Sequence, residues 1–195
     1  PTFFTPAQAL HVVHDFGADT WIGANAPGGG WQRAPLDLPS SNAPIWQRPP
    51  RDVALPAGTR CITYTSGTTG QPRGVCLGTD ALLDVAPSLV SAMRSLQPRR
   101  HLCVLPLATL LENIAGVVAP LMAGAQVALP SLADIGYTGA SGLDPIRLLA
   151  CIDRHQPDSI ILVPQLLDAI DTACEHGAPP PRSLRCIAVG GARVG

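Results

Sequence analysis

From residue 60 onward, short apolar runs alternate with amphipathic segments of about three turns, and this order constrains the fold more than any other feature. The apolar runs, such as residues 159–163, are continuous, which is typical of parallel strands that are covered on both faces. A chain of 195 residues, 46% of them hydrophobic, is long enough to bury such a sheet. The pattern therefore predicts a layered α/β fold with a largely parallel sheet.

The apolar periodicity and the turn residues place the individual elements. The predicted strands cover residues 18–22, 60–65, 74–77, 101–106, 126–129, 159–163 and 185–189. The predicted helices cover residues 5–16, 110–121 and 165–176, with two more that begin at Thr79 and at Asp144. The Gly-rich turn after residue 65 predicts that the strands on either side of it form a β-hairpin.

Residues 24–59 differ in amino-acid composition from the rest of the chain. They hold seven prolines and a run of three glycines, a composition that cannot build long regular elements. We therefore expect a helix and a strand in residues 1–23, a connection over residues 24–59 held by Trp31 and Trp46, and an α/β core over residues 60–195.

The charge and the cysteines exclude several classes of function. A net charge of −1 gives no electrostatic basis for binding nucleic acid or an anionic membrane. The longest run without a strongly polar residue, residues 114–125, is shorter than the roughly 20 residues that a bilayer requires. The six cysteines form no Cys-x-x-Cys pair, so we expect free thiols in a cytoplasmic protein rather than disulfides or a zinc site.

Residues 64–75 read Tyr-Thr-Ser-Gly-Thr-Thr-Gly-Gln-Pro-Arg-Gly-Val and follow a predicted strand. Gly67 and Gly70 permit backbone angles closed to other residues, so successive N–H groups can turn inward around an anion. Arg73 adds a permanent charge with forked donors that suit phosphate oxygens. Four hydroxyl side chains add further donors, and they belong to Thr65, Ser66, Thr68 and Thr69.

This segment therefore predicts a loop that binds a polyphosphate. It is not a Walker P-loop, because that motif requires a lysine and all 13 basic residues of the chain are arginines. On composition alone, the alternative is a Gly/Thr-rich hairpin turn without a ligand.

The same string resembles the signature of the adenylate-forming superfamily, which includes acyl-CoA synthetases, adenylation domains of peptide synthetases, and luciferases. The family form is Tyr-Thr-Ser-Gly-Thr-Thr-Gly-x-Pro-Lys-Gly-Val, and this chain matches it except at Arg73. Residues 3–18, 105–109 and 189–192 resemble other family segments less specifically. The resemblance covers essentially the whole chain and implies a part of the large N-terminal domain, with the C-terminal domain absent.

The resemblance implies a two-step reaction. A carboxylate attacks the α-phosphate of ATP to give acyl-adenylate and pyrophosphate, and a thiol, commonly coenzyme A, then takes the acyl group. Magnesium offsets the phosphate charge. The implied phosphate-binding residues are Thr65, Ser66, Gly67, Thr68, Thr69, Gly70 and Arg73, with Thr65 near the metal. The implied adenine-contacting residues are Gly190, Gly191 and Ala192, and the implied acyl-pocket residues are Thr109 and Asn113.

The acyl substrate is suggested by a strongly aliphatic stretch, residues 105–125. Together with Glu112 and Asn113, this stretch is similar to the corresponding part of long-chain fatty acyl-CoA ligases, which predicts a fatty acid. The alternative is that residues 110–121 form a buried core helix with no substrate role.

Several departures from the family limit what this chain can do. Arg73 keeps the charge of the usual lysine but is bulkier and planar. Thr109 stands where the family usually has a ring, and it either opens room for an aliphatic tail or only fills space. The sequence contains no Tyr-Gly-x-Thr-Glu, no Thr-Gly-Asp and no lysine. We therefore expect no catalytic residue in this chain and no activity from it alone.

Three other interpretations compete with a fatty acyl-CoA ligase. An amino-acid adenylation domain of a peptide synthetase would share the phosphate loop. A non-catalytic nucleotide-binding homologue would explain the departures at Arg73 and Thr109. An unrelated nucleotide-binding module would require the loop to be a coincidence. A start without methionine and an end directly after a strand-like run lead us to expect a piece of a longer protein.

Overall fold

A computed structural model describes residues 5–35, 43–65, 72–138 and 142–191. The chain divides into two compact units, residues 1–78 and residues 79–195. The first unit contains the predicted hairpin and the second contains the predicted parallel sheet. The division into residues 1–23, 24–59 and 60–195 stays a prediction.

The first unit opens with helix α1 (Pro6–Asp15). Thr5 caps it, because the Thr5 side chain accepts from the Gln8 N–H while the Gln8 side chain accepts from the Thr5 N–H. Strand β1 (Thr20–Ile22) follows, and it forms a three-stranded antiparallel sheet with β2 (Gln32–Arg33) and β3 (Ile45–Gln47) in the order β1-β3-β2.

The Pro-rich connection therefore contains two short strands that the sequence did not predict. Each is only two or three residues long, which fits the proline spacing. Trp31 and Trp46 hold this region as expected. The Trp31 ring is buried under the guanidinium of Arg48 at 4.7 Å, and Trp46 Nε1 donates to the Gly23 carbonyl at 2.9 Å.

The predicted hairpin is present in the first unit. Strands β4 (Cys61–Thr65) and β5 (Arg73–Leu77) pair antiparallel, from Cys61 opposite Leu77 to Thr65 opposite Arg73. The phosphate-loop residues 66–71 connect these two strands and lie outside the described residues, as does the side chain of Thr65.

The second unit is built on a four-stranded parallel sheet, as predicted. Its strands are β6 (Arg100–Leu102), β7 (Gln126–Ala128), β10 (Ser159–Leu162) and β11 (Cys186–Val189), in the spatial order β11-β10-β6-β7. A small antiparallel pair, β8 (Tyr137–Thr138) and β9 (Gly142–Leu143), lies between β7 and β10 in the sequence.

Six helical segments lie in the described part of the second unit. The α-helices are α2 (Thr79–Ala92), α3 (Ala119–Met122), α4 (Leu132–Ile135), α5 (Pro145–His155) and α6 (Pro164–Glu175). A π-helix, named π1 here, covers Glu112–Val118 and leads directly into α3. The predicted helix over residues 110–121 is therefore helical, but its central part has π rather than α hydrogen bonding.

The core of the second unit explains the continuous apolar strands. Residues Ile160 and Ile161 point to opposite faces of β10, and both are buried. Helix α6 and π1 both contact this strand, while α5 packs against α4 and α6. Among the described residues, no helix combines the length and hydropathy that a bilayer crossing requires.

Candidate functional site

The hairpin is attached to α1 by two polar contacts within the first unit. The Tyr64 hydroxyl donates to Asp15 Oδ2 at 2.7 Å, and His11 Nε2 lies 3.1 Å from the Pro72 carbonyl. The Tyr64 ring also contacts the Phe16 ring, with centroids 6.2 Å apart. The two strands that flank the phosphate loop are therefore held by α1 on the side where the loop begins and ends.

Two signature residues have a structural explanation in this hairpin. Tyr64 and Gly74 are directly opposite each other on β4 and β5. A Cβ at position 74 would lie 3.0 Å from Tyr64 Cζ and 3.0 Å from Ile62 Cγ2, closer than side chains normally approach. Position 74 is therefore glycine because the Tyr64 ring covers it. Burial, followed by the hydrogen bond to Asp15, raises the pKa of Tyr64.

Arg73 is exposed at the first position of β5. Its backbone pairs with Thr65 across the hairpin, so the two residues that bound the loop lie side by side. Ser66, Gly67, Thr68, Thr69 and Gly70 lie outside the described residues, and their binding role stays a prediction.

In the second unit, the predicted site residues collect at the carboxyl edge of the parallel sheet. Gly190 directly follows β11, and its N–H donates to the Leu162 carbonyl at the end of β10. Gly191 adopts φ +82°, a conformation that favours glycine. In doubly wound sheets, ligands bind at this edge. Ala192 lies outside the described residues.

Residues 105–113, called the pocket segment here because they include the predicted acyl-pocket residues, reach the same edge through Leu111. A Cβ at Gly190 would lie 3.3 Å from Leu111 Cδ2, and a Cβ at Gly191 would lie 3.7 Å from the same atom. Thr109 and Asn113 flank Leu111, and the Asn113 N–H donates to the Thr109 carbonyl at 3.0 Å. The structure thus brings the Gly-Gly segment and the Thr109–Asn113 segment together.

Thr109 itself is exposed, and both its N–H and its hydroxyl donate to the Pro106 carbonyl. These bonds close a tight turn after Pro106. Leu107, in that turn, is 45% exposed and is therefore an apolar side chain on the surface of the unit. The sequence analysis placed Leu107 and Leu111 in the aliphatic stretch but did not assign either to the site, because leucines in such a stretch give no signal that separates a pocket from the core.

A buried polar cluster contacts the start of the pocket segment. His101, Glu112 and Ser159 are 3%, 0% and 2% exposed. Glu112 Oε2 accepts from the Leu105 N–H at 3.3 Å, and His101 Nδ1 lies 3.0 Å from Ser159 Oγ. The carboxylate therefore fixes the start of the segment that contains Thr109. No sequence pattern predicted that these three residues meet, because they come from β6, π1 and β10.

Burial, together with Glu112 of this cluster, raises the pKa values of two nearby side chains, Cys103 and Tyr137. Burial, and then the nearby Glu112, raises the pKa of the Cys103 thiol, which donates to the Gly116 carbonyl at 3.4 Å. The same causes, in the same order, raise the pKa of Tyr137 to about 12. Both groups are thus neutral at physiological pH.

The sequence profile of the AMP-binding enzyme family matches residues 11–195. The chain belongs to the AMP-binding enzyme family. The match spans both units, including the hairpin with its phosphate loop and the carboxyl edge of the sheet. A comparison with curated protein sequences gives no match.

Three solved structures are examples of those similar to this AMP-binding chain. O-succinylbenzoate CoA synthetase (MenE) from Bacillus subtilis, in complex with the acyl-adenylate intermediate OSB-AMP, is 28% identical, with a TM-score of 0.49 and a match over 70% of this chain and 32% of that chain. MbtA from Mycobacterium smegmatis is 24% identical, with a TM-score of 0.54 and a match over 75% of this chain and 25% of that chain. ATP-bound MatB from Rhodopseudomonas palustris is 21% identical, with a TM-score of 0.49 and a match over 67% of this chain and 24% of that chain.

The similarity to MbtA supports the fold of the AMP-binding chain, a partial N-terminal domain of mixed α/β type. The chain spans only 24–32% of the length of these three solved structures.

Proposed function

We propose that the protein to which this chain belongs activates a carboxylate with ATP, forming an acyl-adenylate and then an acyl thioester with coenzyme A. The observation that carries the proposal is the AMP-binding family match over residues 11–195, which includes the signature loop. The hairpin supports it, because Thr65 and Arg73 pair at the base of that loop.

The nucleotide-binding role rests on two groups of residues, one in each unit. Arg73 is exposed beside the phosphate loop, so its guanidinium is available to phosphate oxygens. Gly190 and Gly191 directly follow β11 at the carboxyl edge of the sheet, where they pack against Leu111. Because ligands of such sheets bind at this edge, we assign the Gly-Gly segment to the adenine.

Magnesium, when bound, neutralises phosphate charge in reactions of this kind. We propose the Thr65 hydroxyl as one of its ligands, and Ser66, Gly67, Thr68, Thr69 and Gly70 as donors to the β- and γ-phosphates. The part that this chain plays is to bind and orient the leaving pyrophosphate, which is mainly positioning and charge stabilisation.

For the substrate we propose a fatty acid. Leu107 and Leu111 present aliphatic surface around Thr109, where the family usually has a ring. A hydroxyl-bearing side chain that is folded back onto the Pro106 carbonyl leaves this surface without a bulky obstacle. The six free thiols and the use of ATP and coenzyme A fit a cytoplasmic location, which is part of the same proposal.

The test uses the full-length protein with magnesium-ATP and coenzyme A. Saturated fatty acids of increasing length, aromatic acids and amino acids are compared as substrates for acid-dependent ATP–pyrophosphate exchange and for acyl-CoA formation. We expect exchange and acyl-CoA formation with fatty acids. Exchange with an amino acid without acyl-CoA formation would favour a peptide-synthetase adenylation domain instead. No exchange with any acid would favour a non-catalytic homologue.

The contribution of the loop is tested by Arg73→Ala, which should lower kcat/KM by about 100-fold, as expected when one donor to a developing charge is lost. Arg73→Lys should retain most of the activity because it keeps the charge. Arg60→Ala is the matched control, since Arg60 is exposed at the opposite end of the same hairpin. Equal activity of Arg73→Ala and Arg60→Ala would contradict the role of Arg73.

A further inference from the structure

Three side chains with metal-ligating atoms converge inside the second unit. His101, Cys103 and Glu112 each offer one atom, and these atoms all lie within 4.8 Å of one another. The three residues are between 0% and 3% exposed. This cluster lies behind the pocket segment and is not used by the proposed reaction.

The fold explains why the three side chains meet. Residues 101 and 103 are two apart on an extended chain, since the Cys103 N–H continues the ladder of β6 by donating to the Ala128 carbonyl. Their side chains therefore lie on the same face of the sheet. Glu112 is the first residue of π1, which contacts this region. Gly116, one turn further along, must lack a side chain because a Cβ there would lie 2.5 Å from Glu112 Oε1.

The hydrogen bonds leave one free atom on each of two ligands, and both atoms face the centre of the cluster. His101 uses Nδ1 on Ser159, and Glu112 uses Oε2 on the Leu105 N–H. Among the described residues, His101 Nε2 and Glu112 Oε1 have no hydrogen-bond partner. Outer partners of this kind orient the histidine and carboxylate ligands of metal sites.

The distance between the two free atoms favours a cation over a shared proton. His101 Nε2 and Glu112 Oε1 are 3.8 Å apart. A charge-assisted hydrogen bond would require roughly 2.7–2.9 Å. Two ligands of one tetrahedral zinc ion lie roughly 3.3–3.6 Å apart, given metal–ligand distances of about 2.0–2.3 Å. The observed spacing therefore lies closer to that of two metal ligands.

Charge balance leads to the same conclusion. A buried carboxylate is costly unless a positive charge lies beside it. Within the described ranges, the ion-pair partner of Glu112 is His101, and no arginine pairs with it. A cation bound beside Glu112 Oε1 would supply the compensating charge.

We propose that His101 Nε2, Cys103 Sγ and Glu112 Oε1 bind a divalent cation of the zinc type. The Cys103 thiol, which is neutral without the metal, would release its proton to solvent as the thiolate binds the cation. A mixed nitrogen, sulfur and oxygen set suits a borderline ion such as Zn²⁺, and three protein ligands leave a fourth position for a water or a carbonyl oxygen. The ion would join β6 to the start of π1 and so stabilise the segment from Leu105 to Thr109. The sequence search for Cys-x-x-Cys spacing missed this site because its ligands are two and nine residues apart.

The test measures metal binding directly on the full chain. The protein is stripped with a chelator, dialysed and titrated with Co²⁺ and with Zn²⁺. We expect about one metal ion per chain, a thiolate-to-cobalt charge-transfer band, and d–d bands of tetrahedral intensity. Zn²⁺ should displace Co²⁺ and raise the Tm.

Two variants assign the ligands. Cys103→Ala should lose the charge-transfer band and the rise in Tm with Zn²⁺. Cys151→Ala is the matched control, because Cys151 is an equally buried thiol in α5 and lies outside the cluster, and it should keep both. Glu112→Gln can still accept from the Leu105 N–H, and it should bind Zn²⁺ at least about tenfold more weakly, an effect of the size seen for altered metal-site partners.

The proposal is overturned if the wild-type protein shows no thiolate band with Co²⁺, or if Cys103→Ala keeps the band at full strength. Either result would mean that the three side chains form a buried polar cluster without a metal ion. If Cys103→Ala does not fold, the wild-type spectrum and the comparison of Glu112→Gln with Cys151→Ala decide the question.

Discussion

Single residues in the hairpin carry consequences that can be measured. Gly74 is opposite Tyr64, and a Cβ there would lie 3.0 Å from both the Tyr64 ring and Ile62. Gly74→Ala should therefore lower the free energy of unfolding by about 1–3 kcal/mol, the usual cost of overpacking. Gly29→Ala is the control in the same unit, because nothing lies within 4 Å of its added Cβ. Urea denaturation at constant m-value makes the comparison. Equal midpoints for the two variants would contradict the packing argument.

The Tyr64 hydroxyl gives a prediction about alkaline pH. Burial and Asp15 raise the pKa of Tyr64, so the folded chain holds this proton more tightly than the unfolded chain does. Its contribution to stability is complete below the unfolded pKa of about 10 and is lost as the pH rises through the folded pKa. Tyr64→Phe should cost about 1 kcal/mol at neutral pH through the lost hydrogen bond to Asp15.

The same variant should lose stability less steeply than wild type above about pH 10, because it has no proton to release at this position. Urea titrations at several pH values up to the alkaline limit measure both slopes. All other titratable groups are the same in both proteins, so only the difference between the slopes reports on Tyr64. Parallel slopes would show that burial and Asp15 do not hold the Tyr64 proton more tightly in the folded chain.

At the scale of elements, the sequence predicted the sheet better than the helix beside it. Continuous apolar runs such as that of β10 require cover on both faces, and this requirement leaves little choice other than a parallel strand. The periodicity of residues 110–121 predicted an α-helix, but it could not reveal the π-helix at Glu112–Val118. Apolar periodicity does not specify which carbonyl accepts each N–H.

The predicted strand over residues 101–106 also ends early, at Leu102 in β6. The physical reason lies in one hydrogen bond. The Leu105 N–H donates to the carboxylate of Glu112 rather than to a neighbouring strand. A side chain that competes for a backbone donor from seven residues away gives no local sequence signal.

Helix α5 allows an element-scale prediction about capping. Asp144 Oδ1 accepts from the N–H groups of Ile146 and Arg147 at 3.0 and 3.2 Å. Asp144→Ala should therefore lower the free energy of unfolding by about 1 kcal/mol. Asp144→Asn should restore most of it, because the Asp144–Arg147 ion pair is exposed and such pairs contribute little. Chemical denaturation measures both variants, and equal losses would show that the charge matters more than the cap.

At the scale of the whole molecule, the loop predicted the family, while the predicted site residues fall in both units. Thr65 and Arg73 bound the loop in the first unit, and Gly190 meets Leu111 in the second. The signature loop could be recognised in the sequence because its residues, 64–75, are contiguous. Leu111 and the cluster around Glu112 were not readable, because their proximity to other residues arises only when β6, β10 and π1 pack together.

This distribution leads to a prediction about the isolated chain. Residues 1–195 contain no lysine and neither of the two family motifs that would complete the adenine and ribose contacts. Because rate acceleration in phosphate chemistry depends on several preorganised charges acting together, a phosphate loop without them should not suffice. Purified residues 1–195, checked for cooperative unfolding, should give no acid-dependent ATP–pyrophosphate exchange above background under conditions in which the full-length protein is active. Acid-dependent exchange by the isolated chain would place the catalytic groups within these residues, and Arg73→Ala in the same background would show whether the loop supplies them.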